Sequence, residues 1–291
     1  MYISIIIFGA IFSMIGFCTA EIANIDLHPM WQFLPIDQCG YGSLSDRIVG
    51  GKEATLGQFP WIARIGYKTK RTGTKIVYLC AGSLINPRKH VRFGENFIKS
   101  SRDCEDGFCA PPVQDIAVAA IIRHKNSFSE PSLTYGDIAL IRLAQPVKYN
   151  DFVLPICLPR GEVVRHIQDY LSNGTLLEVA GWGSINPKKT VIPNKLMSVG
   201  LPVVNIKVCQ KIFNYDQIDE SQICMGIGKG KDSCVGDSGG PLMKPIALEA
   251  PPRYFLFGIV SFGSKLCGIS AAIYTNVTHY LPWILDNMEP H

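Results

Sequence analysis

The sequence has little net charge and no long run of basic residues. Its formal charge is only +4 over 291 residues, of which 18% are charged and 47% are hydrophobic. The local basic cluster between Lys68 and Lys75 surrounds Thr72 and Gly73, which is typical of a solvated hairpin loop, with a basic exosite as the alternative. The composition therefore argues against a nucleic acid partner and indicates a globular protein with a sizeable core.

The sequence lacks any long apolar run beyond the one at its N-terminus. Residues 1–20, MYISIIIFGAIFSMIGFCTA, form one such run and end in small residues, with Cys18 and Ala20 where a signal peptidase would cut. A signal peptide is expected, and a retained signal anchor is the alternative, because the run approaches the length of a membrane span. Since no other such run follows, we expect a secreted, extracellular chain with no membrane partner after signal removal.

Short apolar runs such as FLFGIVSF recur after residue 48, and Gly, Pro and Asn separate them. This spacing predicts an all-β barrel or sandwich. Near the end of the sequence, THYLPWILDNM places Tyr280, Trp283 and Ile284 on one helical face after a candidate cap at Thr278. That pattern predicts a closing helix whose aromatic residues belong to the core.

The stretch KDSCVGDSGGPL, residues 231–242, carries the clearest chemical pattern. Ser238 lies between Asp237 and two glycines, and Gly236 precedes it by two positions, in a tight turn that only small residues permit. The N–H groups of Gly236 and Ser238 would then bind the oxygen of a carbonyl that the Ser238 hydroxyl attacks. A serine hydroxyl needs an adjacent base, usually a histidine oriented by a carboxylate. The alternative, a Gly-rich surface turn, explains less of this long motif.

Together with IVGG at 48–51, DIALIRL at 137–143 and GWG at 181–183, this stretch resembles the chymotrypsin/trypsin family of serine endopeptidases. FLPIDQCG before IVGG, and CAPPVQDI at 109–116, are most similar to the arthropod clip-domain branch. The resemblance covers nearly the whole mature chain.

The resemblance implies an all-β fold of two six-stranded antiparallel β-barrels, a C-terminal helix and an active site in the cleft between the barrels. We place the protease domain at 48–291, with its barrels at about 48–155 and 160–277. It implies a monomer that needs no metal and no cofactor.

Several site residues are implied by position in the family pattern. Ser238 is the nucleophile and Asp137 the carboxylate that orients the histidine, although an Asp before an apolar strand is otherwise a cap or turn residue. Asp232, six residues before Ser238, matches the floor of a pocket for Arg or Lys, with an ordinary loop Asp as the alternative. Gly263 matches a pocket wall, whereas Ala272 replaces a glycine at the pocket mouth, where its methyl group would crowd an Arg side chain.

Residues 21–47 are interpreted as a propeptide that lacks the six-cysteine clip module. We expect a protease that reads Arg to cleave between Arg47 and Ile48. The new ammonium of Ile48 would turn inward and pair with Asp237, and because an unpaired buried charge is costly, this pair would act as the activation switch.

Cysteine use fits a secreted chain, since ten cysteines less Cys18 leave nine. The family resemblance pairs Cys39 with Cys157, Cys104 with Cys109, Cys209 with Cys224, and Cys234 with Cys267. Cys80 is left without a partner. The Cys39–Cys157 bridge would keep the propeptide attached after cleavage. Two sequons, at Asn173 and Asn276, are candidate glycosylation sites, with Asn173 the better one because it lies in a polar loop.

The family pattern fails at one place. In the family, a segment resembling CGGSLIN is followed by a strand ending in TAAHC, a long loop and a strand beginning near VRLGE. This chain instead reads CAGSLIN, then PRKH, then VRFGENF. The catalytic histidine, its strand and the partner of Cys80 are all missing. The neighbouring strands should be left with unpaired backbone groups, which weakens the first barrel.

No other histidine is expected to replace the missing one. The six histidines are His28, His90, His124, His166, His279 and His291. Only His90 is close in sequence, and a connection of three residues from Asn86 does not bring it within about 3 Å of Ser238. His124 matches a family surface position.

Three hypotheses follow. The first is a secreted trypsin-like zymogen that cleaves after Arg or Lys, of which this chain is an impaired product of a transcript lacking a segment. The second is a non-catalytic homologue that binds a cascade protease or its substrate. The third is a chain that folds poorly. Expected partners are a protein substrate or cascade protease, and an activating trypsin-like protease.

Overall fold

The computed structural model describes residues 25–42, 52–68, 76–85, 91–130, 133–186, 190–226, 232–264 and 267–289. The predicted signal segment 1–20, the predicted cleavage residues Arg47 and Ile48, and the histidines His90 and His291 lie outside the described residues. No helix in the described part is long and apolar enough to cross a membrane.

β-Strands make up most of the regular secondary structure in the described part. The strands of the N-terminal half are β1 (Lys52–Glu53), β2 (Ile62–Lys68), β3 (Ile76–Ser83), β4 (Arg92–Phe93), β5 (Cys104–Glu105), β6 (Phe108–Cys109), β7 (Gln114–Asp115), β8 (Val118–Arg123), β9 (Phe128–Glu130), β10 (Leu133–Tyr135) and β11 (Ala139–Leu143). Those of the C-terminal half are β12 (Leu176–Gly181), β13 (Met197–Pro202), β14 (Gln222–Met225), β15 (Pro241–Ile246), β16 (Arg253–Gly263) and β17 (Ala272–Asn276). The helices are a 3-10 helix (Pro29–Phe33), α1 (Glu162–Arg165), α2 (Ile167–Tyr170), α3 (Ile206–Phe213) and α4 (Leu281–Asp286).

The strands of the C-terminal half, with β1 added at one edge, form one continuous antiparallel sheet. Its order is β1-β13-β12-β15-β16-β17-β14, with seven strands. Apolar side chains from its strands form a core around Phe257 and Tyr274, which are both fully buried. The sheet thereby supplies a rigid base for the turn that carries Ser238, which lies between β14 and β15 in the sequence.

Six strands of the N-terminal half form two sheets that follow one another along the chain. One sheet has the order β3-β2-β4-β7, and β8 pairs with β11 in a second sheet. Only Ile116 and Ala117 separate β7 from β8, and we call the two sheets together the N-terminal ladder, with β3 and β11 as its ends. Within the described residues, β3 and β11 each pair with one strand. The sequence gap falls directly after β3, at one end of this ladder.

The closing helix is present, which confirms the predicted element, and the all-β class is likewise confirmed. Helix α4 buries Leu281, Ile284 and Leu285. The predicted cap at Thr278 was wrong: the helix begins after Tyr280, and the Thr278 hydroxyl instead donates to Asn276 Oδ1 at 2.6 Å. Tyr280 is buried in the core, as predicted.

The segment before the predicted cleavage site packs against the rest of the chain. Met30 and Trp31 are buried in the same core as α4, and Trp31 donates its indole N–H to the Ile25 carbonyl at 2.7 Å. Gly40 N–H donates to the Pro155 carbonyl at 2.7 Å. The adjacent bridge between Cys39 and Cys157 fixes this contact covalently.

All four predicted disulfide pairs are present in the structure. They are Cys39–Cys157, Cys104–Cys109, Cys209–Cys224 and Cys234–Cys267. Cys80, in β3, is a free, half-buried thiol.

Candidate active site

The turn at Ser238 is built by glycines and held against β3. Gly236 and Gly239 have φ of 107° and 82°, the left-handed region that side chains disfavour. The Ala81 N–H donates to the Ser238 carbonyl at 2.9 Å, and a Cβ on Gly239 would lie 2.4 Å from the Ala81 carbonyl oxygen. These contacts leave the Ser238 side chain exposed.

The two N–H groups expected to bind an oxyanion are available. The Asp237 N–H donates to the Cys234 carbonyl at 2.9 Å, and the Gly240 N–H to the Asp237 carbonyl at 2.8 Å. In the described part of the chain, the N–H groups of Gly236 and Ser238 make no hydrogen bond. They can therefore receive an acceptor from outside the chain.

Asp237 points away from its neighbour Ser238, into the protein. Its carboxylate accepts the Gly183 N–H at 2.7 Å and the Cys234 N–H at 2.9 Å. A Cβ on Gly181 or Gly183 would lie 2.0 or 2.1 Å from a carboxylate oxygen, so the two glycines of GWG make room for it. Burial raises the pKa of Asp237, and the two N–H donors oppose this. No cation pairs with it in the described residues.

Asp137 is held by the C-terminal sheet. Its carboxylate accepts the Ser261 hydroxyl at 2.5 Å, and its carbonyl accepts the Thr275 hydroxyl at 2.8 Å. Ser261 lies on β16 and Thr275 on β17. The sequence analysis did not single out Ser261, although it lies in the same SFG triplet as Gly263.

Ser238 and Asp137 border one cavity of about 450 Å³. Cys80, Gly239 and Ser261 also line it at this end. Its remaining lining is largely apolar and comes mainly from β2, from β3 and the residues after it, and from β8, β11, β16 and the C-terminal helix. It includes Ala63, Ile65, Leu84, Ile122, Leu140, Leu143, Leu256 and Ile284. The structure thus brings the predicted nucleophile and the predicted orienting carboxylate to the same space.

The described histidines have partners elsewhere. His28 Nε2 is 3.1 Å from Asp286, and His166 lies 3.2 and 3.3 Å from Glu162 and Asp169. His124 packs edge-on against Tyr280 and Trp283, with ring centroids 5.1 and 5.2 Å away. His279 packs against Tyr280. The prediction about His90 falls outside the described residues.

The residues predicted for substrate selection lie on adjoining segments. Asp232 accepts the Gly268 N–H at 3.0 Å, four residues before β17 begins, and burial raises its pKa. Gly263 on β16 is directly opposite Ala272 on β17. A Cβ on Gly263 would lie 3.2 Å from the Ala272 methyl group, so this methyl group occupies space next to the wall glycine.

The two sequons differ in their surroundings. Asn173 is exposed in the turn that precedes β12. Asn276 is half-buried, and its amide nitrogen donates to the Glu220 carbonyl at 2.8 Å. Asn173 is therefore the more accessible candidate. The described residues hold no group of three or more His, Cys, Asp or Glu side chains arranged for a metal ion.

Comparison with known proteins identifies the relatives of this chain. Residues 48–284 match the family model described as Trypsin. Phenoloxidase-activating factor 3 of Holotrichia diomphalia is 36% identical over 267 residues, which cover 84% of this chain and 73% of that protein. Serine protease ea of Drosophila melanogaster is 35% identical over 281 residues, covering 87% and 70% of the two chains.

A solved structure supports the same relationship. The crystal structure of the Drosophila Grass clip serine protease of the Toll pathway has a TM-score of 0.73 and 30% sequence identity. It covers 86% of this chain, and the match spans 74% of the Grass chain. Together these matches confirm the predicted similarity to the trypsin-like proteases of the arthropod clip branch.

Proposed function

Because the chain belongs to the trypsin family, we propose that it is a secreted trypsin-like serine endopeptidase zymogen that is catalytically impaired in its present sequence. The single observation that carries this proposal is the cavity that Ser238 and Asp137 share. Ser238 and Asp137 keep the supporting contacts described above. The side chain that donates a hydrogen bond to the Asp137 carboxylate is that of Ser261. The site therefore has a nucleophile and an orienting carboxylate, with no described histidine between them.

The proposed reaction is hydrolysis through an acyl-enzyme. Ser238 Oγ attacks the carbonyl carbon after an Arg or Lys that pairs with Asp232, and water later hydrolyses the ester. The N–H groups of Gly236 and Ser238 stabilise the oxyanion. Without a base the hydroxyl keeps its proton, so only binding and the oxyanion donors contribute, roughly 10³–10⁴-fold over water in proteases of this type.

Activation is proposed to follow cleavage after Arg47. The buried Asp237 carboxylate is bonded by neutral backbone N–H groups, and an ammonium from Ile48 would compensate its charge much better. Because the carboxylate lies beside the oxyanion donors in sequence, this pair would order the turn. The Cys39–Cys157 bridge would keep residues 21–47 attached to the cleaved enzyme.

The proposed partners are proteins. One relative is named for activating phenoloxidase, and the Grass protease is assigned to the Toll pathway. These names support a protein substrate or cascade protease as partner. We further propose a separate trypsin-like protease as activator and an extracellular monomer as the working form.

A second candidate function is a non-catalytic homologue that binds a cascade protease or its substrate. The observation that favours it is the location of His28, His124, His166 and His279, each of which has partners away from Ser238.

Hydrolysis of an arginyl ester by the chain cleaved after Arg47 tests the proposal. We expect turnover far below that of a complete trypsin-like enzyme, and Ser238→Ala should lower it little further, because the hydroxyl without a base contributes little to the residual rate. A high rate that His90→Ala abolishes would refute the proposed impairment. No turnover in a chain that shows a cooperative unfolding transition by circular dichroism would favour the non-catalytic homologue.

Sequencing transcripts across the codons from Leu84 to Glu95 in the source tissue tests the origin of the gap. A longer product that restores a TAAHC-like segment would identify the working enzyme, of which this chain is a shortened form. If only the short product occurs, the binding role becomes the better account.

A further inference from the structure

The N-terminal ladder of strands ends at two edges that border the same space. β3 pairs with β2 alone and β11 with β8 alone among the described strands. Cys80–Ile85, at and after the end of β3, and Asp137–Leu143, at and within β11, both line the 450 Å³ cavity. We call this space the acceptor groove. At the Ser238 end of β3 the Ala81 N–H already donates to the Ser238 carbonyl. Elsewhere along the two edges, unpaired N–H and C=O groups can bind another extended chain.

The walls of the acceptor groove are suited to an apolar strand. Its lining includes Ile65, Ile122 and Leu140, together with the exposed Ala139 at its rim. Since a strand advances about 3.3 Å per residue, the groove-facing parts of β3 and β11 match a segment of roughly four to six residues. Added strands gain affinity from backbone hydrogen bonds and specificity from alternate side chains.

One buried polar atom in the groove lacks a partner. The hydroxyl oxygen of Ser83 is buried and makes no hydrogen bond in the described part of the chain. Such a group is costly to leave unpaired. An incoming backbone or side-chain group would satisfy it.

Charge complementarity specifies one end of the occupant. Asp137 presents an exposed carboxylate, whose side-chain partner among the described residues is the neutral Ser261 hydroxyl. Ser238 presents an exposed hydroxyl at the same end of the cavity. An imidazole placed there can donate one N–H to Asp137 and accept the proton of Ser238 with its other nitrogen.

We propose that the acceptor groove binds an extended apolar segment of another protein, added as a strand between β3 and β11, with a histidine at the end beside Asp137 and Ser238. Binding of the strand depends on the groove alone. Restored hydrolysis rests additionally on the proposed function, because it requires Ser238 and Asp137 to act as nucleophile and orienting carboxylate. In that step the imidazole takes the Ser238 proton as the Oγ–carbonyl bond forms, and returns it to the leaving group.

Cys80 provides a direct readout of occupancy, because it lines the groove and is half-exposed. The probe is the hexapeptide Ac-VVTAAH-NH2, and the measurement is the rate of Cys80 alkylation by iodoacetamide, followed by mass spectrometry on the full chain. We expect saturating peptide to slow alkylation at least tenfold. The same peptide with proline in place of the first alanine should protect much less, since it loses a backbone donor.

A pair of variants locates the binding site. Ala139→Glu puts a charged side chain at the rim of the groove, whereas Ile121→Glu puts one on the exposed face of β8, outside the lining. We expect Ala139→Glu to raise the peptide concentration for half-protection at least tenfold and Ile121→Glu to leave it unchanged. Circular dichroism on both variants confirms that each is folded.

Arginyl ester hydrolysis separates the two parts of the proposal. With the chain cleaved after Arg47, the histidine peptide should increase turnover at least a hundredfold, and Ac-VVTAAA-NH2 should protect Cys80 without increasing turnover. Protection by both peptides without turnover would retain the groove and refute the catalytic role of Ser238 and Asp137.

Two results would overturn the groove itself. The first is a Cys80 alkylation rate that neither peptide changes at millimolar concentration in a folded chain. The second is protection that appears without peptide and increases with protein concentration, which would assign the groove to a second copy of the chain.

Discussion

The carboxylate of Asp137 accepts a 2.5 Å hydrogen bond from the hydroxyl of Ser261. This bond joins the segment just before β11, in the N-terminal half, to β16 of the C-terminal sheet. A second bond, from the Thr275 hydroxyl to the Asp137 carbonyl, joins the same residue to β17 at 2.8 Å. Asp137 is thus oriented from two strands of the opposite half, and its position does not depend on a histidine.

Replacing Ser261 by alanine should weaken this link. The lost hydrogen bond is to a charged group, but Asp137 is exposed, so we expect the free energy of unfolding to fall by only about 1 kcal/mol. Ser261→Thr retains a hydroxyl and should be nearly neutral. Urea unfolding of both variants measures this difference, and equal stabilities of the Ala and Thr variants would contradict it.

The buried Asp237 should make the stability of the uncut chain depend on pH. Because burial raises the pKa of Asp237 above its usual value, the folded chain holds this proton to a higher pH than the unfolded chain. The unfolded state therefore binds fewer protons in that interval, and the free energy of unfolding should fall as the pH rises from about 4 through the folded-state pKa.

Asp237→Asn tests this dependence, since the amide does not titrate. The variant loses one acceptor for the Gly183 or Cys234 N–H, which lowers stability at every pH. The informative quantity is therefore the slope. Burial also raises the pKa of Asp232 and Glu95. Their contribution to the pH dependence of stability is therefore present in both the unmodified chain and the variant. Urea unfolding between pH 4 and 8 should give a smaller fall in stability for the variant, and parallel curves would count against the argument.

The sequence predicted the elements that depend on local pattern or on family motifs. The eight paired cysteines, the closing helix and the stretch around Ser238 were of this kind. Contacts between distant residues could not be read in the same way. Ser261 reaches Asp137 across 124 positions, and nothing in the tripeptide SFG indicates that its hydroxyl is used for this bond.

The helix cap shows a different limit of sequence reasoning. Thr278 is a good capping residue in isolation, and its position before the apolar pattern predicted that role. In the structure Asn276 Oδ1 accepts both the backbone N–H and the hydroxyl of Thr278, at 3.1 and 2.6 Å. This local turn competes for the hydroxyl, so the helix begins two residues later.

The glycines of GWG give a steric prediction. A Cβ on Gly183 would lie 2.1 Å from Asp237 Oδ2 and 2.3 Å from its Cγ, so Gly183→Ala must displace a buried carboxylate. We expect a loss of about 3 kcal/mol or more in the free energy of unfolding. Gly174→Ala is the control, because its Cβ would meet nothing within 4 Å and only its φ of 87° opposes the change, at about 1–2 kcal/mol.

A double variant shows whether the clash is the cause. If the Cβ of Ala at position 183 acts on Asp237, then Gly183→Ala should be much less harmful when combined with Asp237→Ala than on its own. Strict additivity of the two losses in denaturant unfolding would place the effect elsewhere.

The pocket residues predict how the chain binds a cationic ligand in the absence of turnover. Ala272 is buried opposite Gly263, and its methyl group takes up space that a glycine would leave open. In the chain cleaved after Arg47, Ala272→Gly should therefore tighten the binding of an aryl amidine by roughly tenfold, about 1.4 kcal/mol. Asp232→Asn should weaken binding by at least as much, because it removes the carboxylate that pairs with the amidinium.

Calorimetric titration with benzamidine measures both changes without requiring a histidine. If Ala272→Gly leaves the affinity unchanged while Asp232→Asn abolishes binding, the methyl group does not narrow the pocket; if neither variant matters, Asp232 is not the residue that selects a basic side chain.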